Sequence, residues 1–97
     1  MKKTIVLYLL GHNIRPHLKG FDYLVAALLY TTQAEIKPPI GTVYEIIAEQ
    51  YHTSAAAVER CIRGAIESAF PRGYKPPNSE FISRATVELT SSLVSQR

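Results

Sequence analysis

Apolar residues recur along this chain at the spacing of helices. Between Leu18 and Gln33 they stand at Phe21, Leu24, Val25, Leu28 and Leu29, intervals of three and four that draw one buried stripe on a helix. From Thr42 to Tyr51 the pattern puts Val43, Ile46 and Ile47 on one side and Glu45 and Glu49 on the other. Residues 54–70 repeat the periodicity, and a last helix after Pro77 carries Phe81, Ile82, Ala85, Leu89 and Leu93. Thr4 to Leu10 is apolar nearly throughout. It is the clearest strand candidate, yet it lacks alternation and is read as a core-facing first helix.

Proline and glycine set the boundaries. Pro16 closes the first helical region, Pro38-Pro39-Ile40-Gly41 reads as a loop, and Pro71-Arg72-Gly73 through Pro76-Pro77 reads as another, because proline lacks the donor a helix interior requires. Thr53 or Ser54 is expected to cap the fourth helix, and Asn78 or Ser79 the last, with Glu80 favourably placed in its first turn. The expected fold is all-α, a compact bundle of about five helices. It is expected to be one domain spanning 1–97, with a helix-turn-helix over about 42–70.

Composition narrows this only modestly. A chain of 97 residues, 46% of them hydrophobic, suits a single core. The lone Cys61 cannot form an internal bridge, which fits a reducing cytosol and an expected cytoplasmic location. Met1-Lys2-Lys3 before an apolar run resembles a secretory signal. The run is short, however, and His12, Asn13, Arg15 and Pro16 stand where small residues should mark cleavage. It also falls far below the length of a membrane span, so no membrane association is expected. The net charge of +3 is compatible with a polyanionic partner without requiring one.

Residues 54–70 carry the most information. At about 100° per residue, Ile62, Ala65, Ile66 and Ala69 fall within about 80° of Val58, and Cys61 lies about 60° to the other side, so Cys61 reads as packed. The opposite arc holds Ala56, Glu59, Arg60, Arg63, Gly64 and Glu67. Such a face suits a DNA major groove. Arginine's planar fork matches the two acceptors of a guanine edge, glutamate can accept from a cytosine amino group, and small neighbours permit close approach. An ordinary solvated helix, with Glu59–Arg63 and Arg63–Glu67 as four-apart ion pairs, explains the same pattern. Its context is a short helix, a turn at Tyr51-His52-Thr53 and a longer helix, which favours a helix-turn-helix.

The stretch Ala55 to Gly73, AAAVERCIRGAIESAFPRG, resembles the recognition-helix region of the C-terminal effector domain of the sporulation master response regulators of endospore formers. The resemblance continues upstream through His17-Leu18-Lys19-Gly20-Phe21, Tyr23-Leu24, Val43-Tyr44 and Ile47-Ala48, and downstream through Lys75-Pro76-Pro77-Asn78-Ser79-Glu80-Phe81-Ile82. It implies an all-helical domain that binds promoter DNA and regulates transcription, with Glu59, Arg60 and Arg63 facing the bases. Ala57 stands where the family usually has arginine, and Gly64 where it often has histidine. The family carries an N-terminal receiver domain, so this chain is expected to be a short stand-alone version of the effector domain or a trimmed piece of a longer protein. Between Gly73 and Lys75 it is shortened where the family has an additional helix, a part that helps neighbouring protomers meet on tandem sites.

Thr53 and Ser54, at the start of the fourth helix, are candidate phosphate contacts, and so are Lys19, Arg72 and Lys75. His12, His17 and His52 show no metal-ligand spacing, and His17 is read as structural. There is no GxSxG, P-loop or dinucleotide-binding glycine pattern, so neither an enzyme, a cofactor nor a metal is expected. The expected partner is double-stranded DNA, with RNA polymerase or its sigma factor and a homodimer on DNA as further candidates. The alternative is a protein-interaction module that keeps the fold and binds a regulator or RNA polymerase instead of DNA.

Overall fold

A computed structural model describes residues 1–70 and 72–95, with side chains as far as Ser91. It contains α1 (Lys2–Gly11), α2 (Lys19–Gln33), α3 (Ile40–Gln50), α4 (Ala55–Ala69) and α5 (Asn78–Ser95), with no strand among the described residues. Thr4 to Leu10 is therefore helical. Only part of it faces inward: Ile5 and Leu9 are fully buried, four residues apart, while Leu7 and Leu10 stay exposed.

α1 ends where Asn13 takes a left-handed backbone (φ 65°). Its amide bonds Leu10 O at 3.0 Å and the Ile14 amide bonds Leu9 O at 3.1 Å, the paired closure that satisfies terminal carbonyls. Ile14 then folds into the core beside Leu9. Asparagine tolerates this conformation better than most residues.

α2 is the central element and packs against the other four helices. That explains why more of it is buried than one stripe predicts: Gly20, Phe21, Tyr23, Leu24, Val25, Ala27 and Leu28 are all inside. Gly20 meets α4 backbone to backbone. A Cβ built there would collide with the Cys61 carbonyl oxygen and stand 2.7 Å from the Ala65 Cβ, so no other residue lets the helices approach this closely.

α3 begins earlier than the proline pattern indicated. Ile40 and Gly41, read as loop, are helical, and Pro39 occupies the cap position. Pro39 O accepts from the Thr42 and Val43 amides at 3.1 and 3.3 Å. Proline is harmless at this point because the first amides of a helix have no helical partner. The buried apolar side chains of all five helices form one cluster. Leu93, expected on the apolar face of α5, lies outside the described side chains.

Candidate nucleic-acid interface

The helix-turn-helix spans α3, the four residues Tyr51–Ser54 and α4. The turn is built by backbone bonding. The His52 amide bonds Glu49 O at 3.4 Å and the Thr53 amide bonds Ala48 O at 2.9 Å, with His52 at φ 55°, the same paired closure that ends α1. Tyr51 packs against Tyr23 of α2 with ring centres 5.1 Å apart and planes inclined by 58°, which seats the turn on the central helix. Ser54, extended at φ −104° and ψ 155°, accepts from the Ala57 amide at 3.1 Å. Ser54 is thus the cap, and Thr53 keeps its hydroxyl free of this role.

α4 divides into two faces. Val58, Ile62, Ala65 and Ile66 are buried, and Cys61 is half-buried against the core. Ala56, Arg60, Arg63, Gly64 and Glu67 are exposed, with Glu59 half-exposed at the edge. At Gly64 an added Cβ would meet nothing within 4 Å, so the middle of this face is open.

Charges on the face pair internally. Arg63 Nη1 donates to Glu59 Oε1 at 2.7 Å, an exposed four-apart pair worth a few tenths of a kcal/mol. The second pair suggested by the spacing, Arg63–Glu67, does not form. Glu67 is approached instead by Lys75 Nζ at 4.0 Å, because the segment leaving α4 turns back at Gly73 (φ 83°). Arg60 has no ion pair among the described residues. Glu59, Arg60, Arg63 and Glu67 sum to zero, so this face by itself carries no positive surplus. Lys19 is the exposed first residue of α2, next to the contact that Gly20 makes with the middle of α4, while Arg72 and Lys75 lie exposed beyond the C-terminal end of α4. No helix occurs between α4 and α5 among the described residues.

Three residues of this region escaped sequence reasoning in their true roles. Asn78, expected as a cap, points its amide elsewhere: Nδ2 donates to the Tyr44 hydroxyl of α3 at 3.0 Å and to the Glu59 carbonyl of α4 at 3.1 Å. Burial pushes the Tyr44 phenol above its ordinary pKa, against the opposing effect of the bond from Asn78. Gly20 is the third; a glycine near the start of an apolar helical stretch was its only signal. Of the histidines, His17 is exposed rather than structural, and His12 lies 4.2 Å from the Tyr8 ring. Among the described residues no group of His, Cys, Asp and Glu could hold a metal ion, and no helix is long and apolar enough to cross a membrane.

In this all-α bundle, α3, a tight turn and α4 with one open, arginine-bearing face follow the order of a helix-turn-helix. The model of the family described as "Sporulation initiation factor Spo0A C terminal" matches residues 5–88, which takes in most of α1, all of α2, α3 and α4, and α5 as far as Glu88. The chain belongs to this family of DNA-binding effector domains in sporulation regulation.

Proposed function

We propose that this chain binds double-stranded DNA at specific sequences and regulates transcription in the cytoplasm, acting as one domain in a sporulation-related process. The open face of α4 carries the reading: small residues at Ala56 and Gly64 beside Arg60 and Arg63 admit a groove floor. In this arrangement Arg60 and Arg63 donate to guanine O6 and N7, and Glu59 accepts from a cytosine amino group. Lys19, Arg72 and Lys75 meet phosphates around this face. The hydroxyls of Thr53 and Ser54 do so at the start of α4, where the Ala55 and Ala56 amides have no helical acceptor. The internal neutrality of the face assigns discrimination to its geometry and attraction to its rim.

The test is fluorescence anisotropy on a duplex carrying the family's promoter box, beside a scrambled duplex, across a salt series. Preference for the box, weakened by about 1–3 kcal/mol in Arg63→Ala, supports direct readout by α4. Equal, feeble binding to both duplexes, unchanged in Arg63→Ala, removes this reading for that box. It would favour a domain that docks on a regulator, RNA polymerase or its sigma factor, for which the closed Glu59–Arg63 pair and the alanine at position 57 leave room. Whether two copies meet on DNA is read from the stoichiometry of the same titration.

A further inference from the structure

We infer that Asn78, at the start of α5, is a positioning residue for base discrimination: it grips Glu59, the residue that holds Arg63. This rests on the DNA-binding reading above and adds to it a residue outside the helix-turn-helix.

The geometry centres on one carbonyl. In α4 the backbone amide of Arg63 is directed at the carbonyl oxygen of Glu59, four residues earlier. The guanidinium of the same arginine is bonded to the Glu59 carboxylate at 2.7 Å. Glu59 therefore holds Arg63 by both main chain and side chain. Asn78 Nδ2 donates to that same Glu59 carbonyl at 3.1 Å, and its other hydrogen serves the Tyr44 hydroxyl at 3.0 Å. One amide group thus ties α5 to both helices of the reading unit, across 19 and 34 residues of sequence.

The residue type fits this task better than the task of capping. Pro77 holds the cap position, its carbonyl accepting from the Phe81 amide at 3.0 Å, so Asn78 is the first residue inside α5. Serine or aspartate would cap as well as asparagine, but neither brings two hydrogens on one atom to two acceptors. Asn78 is half-buried, and Tyr44, Glu59, Arg63 and Lys75 line the groove it occupies. Fixing the height of α4 at Glu59 matters because a bidentate arginine contact tolerates little displacement of its backbone origin. A loosened α4 still meets phosphates through Lys19 and Arg72, whose contacts are less directional.

The test uses the full chain and the two duplexes described above, at a temperature well below the melting point of each variant. Asn78→Ala is expected to lower affinity for the promoter-box duplex about tenfold, with the scrambled duplex and the salt slope unchanged. In an Arg63→Ala background the same substitution is expected to change affinity less than about twofold, the non-additivity of residues acting as a unit. An unchanged ratio between the duplexes in a folded Asn78→Ala variant overturns the inference, and so does an equal loss with and without Arg63. If Asn78→Ala does not fold, Tyr44→Phe removes one of the two acceptors with little change in volume. It should lower the ratio by about twofold to threefold and leave scrambled binding alone; no change in the ratio again overturns the inference. A wild-type chain without preference for the box sinks the DNA reading itself. A wild-type preference that ignores Asn78 sinks only the positioning role.

Discussion

Replacing Gly20 by alanine tests the packing that places α4. The added methyl would collide with the Cys61 carbonyl oxygen, and it would stand 2.7 Å from the Ala65 Cβ and 2.8 Å from the Cys61 carbonyl carbon. Two of these atoms are backbone and cannot rotate away, so α2 and α4 must part by roughly 1 Å. A gap of that size forfeits a quarter to a half of the attraction of each facing contact. Leu24, Val58, Ile62 and Ala65, all buried in the shared core, would feel it. Overpacking of this kind costs about 1–3 kcal/mol, while alanine's better helix propensity returns at most about 1 kcal/mol. The upper part of the range applies here because backbone is involved, giving a net loss of about 2 kcal/mol. For a domain of this size that lowers the melting temperature by about 8–16 °C. Gly64→Ala is the matched control. It lies inside α4 with nothing within 4 Å of an added Cβ, so it should stabilise by about 1 kcal/mol. Thermal melts followed by circular dichroism, with urea titrations to check that the m-value is unchanged, compare the two. A Gly20→Ala variant that melts at or above the wild type would refute the close approach of α2 and α4.

Four further outcomes are expected. Ser54→Ala removes the acceptor of the Ala57 amide and should destabilise by about 1 kcal/mol in urea titration. Ser54→Asp should keep the cap yet weaken binding to both duplexes if phosphate sits at this end of α4; equal DNA affinity would remove Ser54 from the contact set. Lys19→Gln should weaken box and scrambled duplexes alike and reduce the salt slope by about one, whereas Arg84→Gln on α5 should leave the slope alone; a selective loss on the box would show that Lys19 is not a phosphate contact. Tyr8 donates to Glu88 Oε1 at 2.7 Å, and burial, then that bond and the glutamate charge, hold its phenol above the ordinary 10.0. The folded phenol keeps its proton longer than the unfolded one, so this contribution is complete below pH 10 and is lost as pH rises further. The stability gap between wild type and Tyr8→Phe should therefore narrow above pH 10, and a constant gap would refute the linkage.

Much of the reading unit was visible in the residues, for a physical reason. The two faces of α4 follow from 3.6-residue periodicity, so Val58, Ile62, Ala65 and Ile66 inside and Arg60, Arg63 and Gly64 outside could be assigned without neighbours. The bounds were less accessible. Pro39 followed by Ile40-Gly41 looks like a loop, yet a proline just before the first turn forfeits no helical bond, and α3 starts there. Charge pairing was harder still. Glu59–Arg63 and Arg63–Glu67 have the same spacing; the favoured orientation puts the acid first, and only the tertiary structure shows Lys75 approaching Glu67.

Local periodicity, capping chemistry and motif order were enough to read the helices, their apolar stripes, the turn between α3 and α4, and the family. Packing added what no local pattern encodes: α2 is buried from several sides, Gly20 is a contact between backbones, and Asn78 reaches Tyr44 and Glu59 instead of capping its own helix. An asparagine at a helix start can donate locally or across the fold with similar bond geometry. The choice is made by which acceptors packing brings within about 3 Å, and those lie 19 and 34 residues away in the chain.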